Sequence, residues 1–484
     1  MTREERTPKV LLLAAVLGAL ALAPDPPANR RPADLLIRNA RVVTVDSALS
    51  VFDPGGLAVK DGVIVAVGPS RELEGRFEGR QTWDARGELV MPGLVNTHTH
   101  AAMALLRGLA DDLPLDQWLR ERIFPAEAKN VSPQFVYDGT LLAALEMARG
   151  GTTTFADMYY FEEEAAKAVD ASGLRAVLGE TWIDFAVADH KDLTATIEYM
   201  NGFAARWGNH SRITPAVAPH SPYTCSKETL IAARDFARRK RMPILIHVAE
   251  TEQERKNARK QWGLSPVAYL DAIGFFDGTG PGTGARVVAA HAVAVDASDR
   301  EILKRRGVAV SHNPESNMKL ASGIAPVAAM AREGLLWSLG TDGPAGSNND
   351  LSMFEAMDFA GKLAKVATGD PTVLPARDLV VAATRSGARA LGLEERVGSL
   401  EPGKRADLIA VDVHNAHVAP FSDLYSAIVY TVKAGDVTDV WVDGRRILDG
   451  GRATLLDESR VLAAADAWRR RIDASLAAGS SNPP

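Results

Sequence analysis

Three textures follow one another along the chain. From Asp34 to Val90, short β-branched runs (Leu35 to Asn39, Arg41 to Val45, Leu57 to Lys60, Val63 to Val67) are broken by Gly and Asp. Asp61-Gly62 sits between two of these runs and predicts a hairpin, because such pairs take the positive φ that a two-residue turn needs. The same texture returns in Asp407 to Asp412 and in Val437 to Leu448, where Asp443-Gly444 is a second turn signal. Between these pieces, short apolar runs alternate with helical stretches, the pattern of a parallel α/β sheet. The runs are Leu89 to Asn96, Thr152 to Ala156, Arg175 to Leu178, Ile213 to Ala218, Pro243 to His247, Arg286 to His291, Val308 to His312 and Leu335 to Thr341. They predict an α/β fold, a (β/α)8 TIM-type barrel, with a small β-sandwich domain built from both chain ends. Helical stretches such as Val136 to Arg149, with Leu141, Leu142, Leu145 and Met147 on one face and Gly150-Gly151 after it, read as core.

The predicted division is a leader and linker over 1–33, the N-terminal segment of the β-sandwich over 34–90, the barrel over 91–392, the C-terminal segment of the β-sandwich over 393–450, and a C-terminal helix and disordered tail over 451–484. Met1 to Lys9 carries Arg3, Arg6 and Lys9, and the apolar stretch Val10 to Ala23 is short for a bilayer span, which fits a secretory signal peptide. Ala19-Leu20-Ala21 offers a cleavage site, better than Ala21-Leu22-Ala23 before Pro24. Export to the periplasm or beyond is therefore expected; an uncleaved tail or a mis-assigned start codon leaves a cytoplasmic protein.

At 484 residues, the chain needs more than one ordinary core. A net charge of −6 without a basic cluster gives no footprint for nucleic acid, and no membrane partner is expected once the leader is removed. A small-molecule substrate is the expected partner. The single cysteine, Cys225, excludes a disulfide framework and cysteine-ligated zinc, so any metal must rest on His, Asp and Glu.

His98-Thr99-His100 closes the first apolar run. Residues i and i+2 of a strand point to one side, so both imidazoles aim at one spot, although such a pair also serves as ordinary partly buried structure. In a barrel the chemistry sits at the C-terminal strand ends. Those ends carry His98 and His100, Asp157, Glu180, His220, His247 with Glu250, His291, His312 and Asp342, whereas His190, His210, His414 and His417 lie elsewhere. The clustering points to a common site.

Several runs are then diagnostic together: Met91-Pro92-Gly93-Leu94-Val95-Asn96-Thr97-His98-Thr99-His100, Leu106 to Asp112, Ala218-Pro219-His220-Ser221-Pro222-Tyr223, His247-Val248-Ala249-Glu250-Thr251, Ala290-His291, Ser311-His312-Asn313-Pro314 and Gly340-Thr341-Asp342-Gly343. From about Asp34 to about Leu448 the chain resembles the amidohydrolase superfamily. Within it, the likeness is to deaminases of S-adenosylhomocysteine and methylthioadenosine and to the related triazine hydrolases. The resemblance implies one divalent metal per subunit, zinc or iron by ligand type, on His98, His100, His247 and Asp342. It also implies Glu250, His291 and Asp342 as catalytic groups, with Glu250 protonating purine N1 and the other two accepting the proton of the attacking water. A bridging carboxylated lysine is not expected, because the fourth strand ends in Ala218-Pro219-His220.

For the substrate, the resemblance implies that His220 faces the purine and Glu127 binds ribose hydroxyls. Trp118 covers the base or packs in the core. Glu180 stands where relatives that take the homocysteine tail place an arginine, and carboxylates repel, so methylthioadenosine or another neutral adenosine derivative is favoured over S-adenosylhomocysteine. The alternatives are an aminohydrolase or chlorohydrolase of a triazine or other heterocycle, and a non-catalytic binding protein on the same fold. Relatives often form homo-oligomers.

Overall fold

The computed structural model describes residues 30–477. The leader signals in Met1 to Ala23 and the tail Gly479 to Pro484 lie outside the described residues. No helix among the described residues is long and apolar enough to cross a membrane.

Eight parallel strands form the barrel, numbered here β1 (Leu94–Thr99), β2 (Thr152–Tyr159), β3 (Arg175–Trp182), β4 (Ile213–Pro219), β5 (Ile244–Val248), β6 (Val287–His291), β7 (Ala309–His312) and β8 (Trp337–Leu339). Almost every residue in them is buried, as expected of strands covered on both faces. Side chains close the seam between β1 and β8: Thr97 donates to the Leu339 carbonyl at 2.9 Å and Asn96 donates to Thr341 Oγ1 at 2.7 Å. Gly340 is required there, since a Cβ would sit 2.6 Å from Asn313 Oδ1 and 2.9 Å from the His98 nitrogen. Helices fill the connections. The predicted one runs Pro133–Arg149, with Ser132 accepting from the Phe135 N–H as its N-cap.

The chain ends pair into one nine-stranded mixed sheet. Leu89–Pro92 joins its halves, lying parallel to Arg31–Val43 and antiparallel to Leu408–Val411. The sheet encloses its own core, in which Ile37, Leu57 and Ile64 pack with Leu400, Leu408 and Trp441. Both predicted hairpins are present, with positive φ at Asp61, Gly62, Asp443 and Gly444.

Three details correct the sequence reading. The predicted run Leu89 to Asn96 is two strands, one in each sheet, broken at Gly93, whose Cβ would collide with the Thr153 side chain. Because both sheets bury it, no polar residue marks the break. Leu35 to Asn39 and Arg41 to Val45 are one strand, which starts inside the expected linker, with Arg31 already paired to Phe77. The helix Ser70–Arg76 and the strand Phe77–Asp84 have no counterpart among the predicted elements.

The barrel is tied to the sheet by a buried ion cluster. Arg175, at the start of β3, donates to Asp407 Oδ2 at 2.8 Å, to Asp443 Oδ1 at 2.6 Å and to the Ser211 carbonyl at 2.9 Å. Its side chain and that of Asp407 are each 1% exposed.

Candidate active site

The residues expected to hold a metal converge at the C-terminal mouth of the barrel. His98 projects from β1, His100 follows its end, His247 lies on β5, and Asp342 follows β8. His98 Nε2 and His100 Nε2 each lie 3.3 Å from Asp342 Oδ1, and His100 Nε2 lies 3.3 Å from His247 Nε2. Donor atoms of His98, His100 and His247 fall within 4.8 Å of one another, as do those of His98, His291 and Asp342.

The opposite ring nitrogens fix the orientation of these imidazoles. His100 Nδ1 is 2.6 Å from the Met158 carbonyl and His247 Nδ1 is 2.8 Å from the His220 carbonyl, so each carries its proton on Nδ1 and directs Nε2 inward. Asp157 holds the turn bearing His100, accepting from Thr99 Oγ1 at 2.9 Å and from the Ala101 N–H at 2.7 Å. Asp342 accepts from Ser316 at 2.6 Å and from the Gly343 N–H at 2.7 Å. His291 Nδ1 lies 3.0 Å from Asn317 Oδ1. His291 and Asp342 both have φ in the left-handed region, 73° and 66°, strain of the kind that collects at functional sites.

Electrostatics suit a cation. Burial pulls His98 down to about 4 and His247 well below the ordinary imidazole value, leaving lone pairs free. Burial opposes an ionised Asp342, yet hydrogen bonds with His100 and His98 hold it well below the usual carboxylate range. Burial also opposes a charged His100, but Asp342 outweighs it and lifts His100 to about 9, a proton that a cation at this point displaces. His98 Nε2 is buried with no hydrogen-bond partner, although it faces these donors. The residues therefore fit a divalent metal.

Glu250 faces the same point, with Oε2 3.9 Å from His291 Nε2. Burial raises its carboxyl above the ordinary value, partly countered by His291. Its placement depends on Glu254, which accepts from the Ala249 N–H at 3.0 Å and the Glu250 N–H at 2.7 Å. Sequence reasoning missed Glu254, though Thr251-x-x-Glu254 has capping-box spacing and Thr251 does cap the helix Glu252–Trp262.

His100, His247, Glu250, His291 and Asp342 line a cleft of about 590 Å³, counted to its open mouth, with Trp118, Glu127, Tyr159, Tyr160, Thr181, His220 and Tyr223 in its wall. Trp118 is anchored by its indole N–H to the Ala345 carbonyl at 3.0 Å. Glu127, on the helix Phe124–Asn130, accepts from the Tyr159 hydroxyl at 2.6 Å. Burial lifts Glu127 to about 7 against the opposing effects of Tyr159 and His100. Tyr159 escapes the sequence reading because the predicted strand stops at Ala156. His220 packs against His247 with ring centroids 4.9 Å apart.

Of the strand-end residues, His98 and Asp157 sit beneath the cleft wall, and His312 and Glu180 take no part in it. His312 is buried, and neither of its ring nitrogens has a hydrogen-bond partner. Glu180 is fully buried and accepts from the Glu162 N–H at 3.0 Å on the outer side of β3, while Thr181 lines the cleft. Side chains alternate along a strand, so its neighbour's presence in the cleft turns Glu180 away. The expected repulsion of a substrate carboxylate by Glu180 therefore has no basis.

Residues 89–447 match the model of the amidohydrolase family. The chain belongs to this family. Among its curated relatives, the 5-methylthioadenosine/S-adenosylhomocysteine deaminase of Syntrophobacter fumaroxidans is 46% identical over 430 residues, 89% of this chain and 96% of that protein. The 5′-deoxyadenosine deaminase of Methanosarcina acetivorans is 45% identical over 433 residues, covering 89% and 96%. The crystal structure of an adenosine deaminase from Xanthomonas campestris with bound zinc superimposes with a TM-score of 0.89 at 39% identity, covering 92% of this chain and all of that one (100%). An atrazine chlorohydrolase from Arthrobacter aurescens, complexed with zinc, shares the fold at 22% identity with a TM-score of 0.81, over 90% and 100% of the two chains. This amidohydrolase is thus a hydrolytic enzyme acting on C–N bonds.

Proposed function

We propose that this amidohydrolase deaminates an adenosine derivative at purine C6: the C6–N bond breaks, a C6–O bond forms from water, and ammonia leaves. The observation that carries the reading is the convergence of His98, His100, His247 and Asp342 on one point, with Glu250 beside it and Glu127 in the same cleft. The four ligands suit one divalent ion, which we assign as zinc; iron is the alternative by donor type. When bound, such an ion supplies Lewis acidity and lowers the pKa of water to about 7.

The remaining chemistry falls to the chain's own groups. Glu250, whose carboxyl burial raises above its ordinary value, delivers a proton to purine N1. Asp342 and His291, 3.9 Å apart, accept the proton of the attacking water and return it to departing ammonia, while the remaining O–H proton passes to Glu250 as the C6 carbonyl forms and restores it. His220 faces the purine, Trp118 walls the base, and Glu127 accepts ribose hydroxyls. The cleft continues past Leu119 and Tyr223 into an outer groove bordered by Asp116, Arg120 and Trp262, which gives space for a 5′ substituent.

The test is ammonia release by purified, metal-analysed protein from methylthioadenosine, S-adenosylhomocysteine, adenosine, guanine and a triazine. Adenosine derivatives are expected to turn over. Turnover of guanine or the triazine alone, or binding without any turnover, overturns the reading. Export rests on the Met1 to Ala23 pattern, and N-terminal sequencing of protein from its native cell checks it; an intact Met1 end refutes cleavage.

An ionised carboxylate only accepts hydrogen bonds, so Glu127 must lose its proton to bind two hydroxyls. Its value near 7 makes kcat/KM for nucleosides rise as pH rises through about 7, and Glu127→Gln should flatten that limb. Tyr159→Phe removes the hydroxyl that holds Glu127. Loss of one charge-assisted bond should raise KM roughly tenfold, with kcat changed less. Steady-state kinetics over pH check both.

A further inference from the structure

Outside the cleft, behind its Tyr159 and Tyr160 wall, a second group of donors is buried. Glu180, at the end of β3, and Asp189, in the loop that follows, each use one oxygen to hold the start of the helix Glu162–Ser172. Glu180 Oε2 accepts from the Glu162 N–H at 3.0 Å, and Asp189 Oδ2 accepts from the Phe161 N–H at 2.6 Å. Their other oxygens turn toward His190; neither these oxygens nor the His190 ring nitrogens meet hydrogen-bond geometry, although Glu180 and Asp189 interact with each other and the Tyr199 hydroxyl interacts with Glu180. His190 Nδ1 lies 2.7 Å from Asp189 Oδ1 and 3.9 Å from Glu180 Oε1, without hydrogen-bond geometry.

All three side chains are at most 2% exposed, and their donor atoms fall within 4.8 Å of one another. A third carboxylate, Glu162, is fully buried beside them with Oε2 unpartnered. Among the described residues, no lysine or arginine is ion-paired or hydrogen-bonded to Glu162, Glu180 or Asp189. Burial raises Glu180 and Glu162 well above the ordinary carboxylate value, with Asp189 adding to the rise at Glu180, so a cation placed here displaces protons from these groups.

We propose that Glu180, Asp189 and His190 bind a second divalent cation, a structural ion that pins the loop after β3 to the start of the helix Glu162–Ser172. Two carboxylate oxygens and one imidazole suit a borderline ion such as zinc or manganese. This site shares no ligand with the first, and its assignment is independent of the reaction assigned above.

The test uses the full chain, equilibrated with excess zinc chloride, desalted and digested for metal analysis. Two zinc ions per wild-type chain and one per His190→Gln chain are expected. One zinc in both proteins overturns the proposal, because the carboxyls then share protons instead. Two in both proteins also overturns it, since the second ion then lies elsewhere. If His190→Gln does not fold, Asp189→Asn gives the same reading.

Discussion

Glu250→Gln is expected to keep its metal and lose turnover by a factor of about 10² to 10⁴, the usual contribution of a positioned acid–base group. The amide is nearly isosteric with the carboxyl and can still accept from its surroundings, but it holds no proton to give. Glu250 is not one of the four proposed ligands, so metal content should stay at the wild-type level. Burial raises the native carboxyl above its ordinary value, with His291, 3.9 Å away, opposing the rise. The measurement is kcat for ammonia release beside metal analysis of the same sample. Wild-type turnover removes Glu250 from the chemistry, and loss of metal makes it a ligand.

The second large effect is on stability. Arg175→Met should cost about 3–5 kcal/mol of unfolding free energy, the range for removing one partner of a buried ion pair. The loss falls mainly on Asp407, whose side chain is 1% exposed and which has no other ion-pair partner among the described residues, whereas Asp443 keeps Arg405 at 2.7 Å. Much of the cost is the stranded carboxylate. The double variant Arg175→Met/Asp407→Leu should therefore recover a large part of it, although Asp407 Oδ1 also accepts from the Asp443 N–H at 2.8 Å. Denaturant unfolding of the three proteins checks this; equal stability of the single variant and the wild type refutes it.

The site was legible in the sequence wherever strand position and residue chemistry coincided. His98-Thr99-His100, His247 and Asp342 follow from the rule that barrel chemistry sits at the strand ends, and the structure brings them together. That rule fails where it ignores which way a side chain faces. Glu180 is at the right height on β3 but on its outer side, and counting parity from Thr181 would have shown it. His312 is likewise at a strand end yet outside the cleft.

Other groups were hidden for different reasons. Tyr159 extends an otherwise apolar strand and reads as core until Glu127, 32 positions away, is seen accepting its hydroxyl. Glu254 acts on the two backbone N–H groups before the helix that Thr251 caps, and only the capping spacing hinted at it. The hairpins at Asp61-Gly62 and Asp443-Gly444 were readable because turn chemistry is local. Pairing of the two chain ends into one sheet was inferred from matching texture, and its register depended on contacts that no local pattern encodes.

The eight residues from Leu89 to Asn96 serve both sheets, crossing from one to the other at Gly93 four residues before Thr97 and five before His98. The barrel therefore has no clean excision point. Cutting away the C-terminal strands would strip Leu408–Val411 from Leu89–Pro92, leaving a bare edge on the very segment that sets the height of the first histidine. Grafting this barrel elsewhere means carrying the terminal sheet with it as the jig that holds the first strand in register.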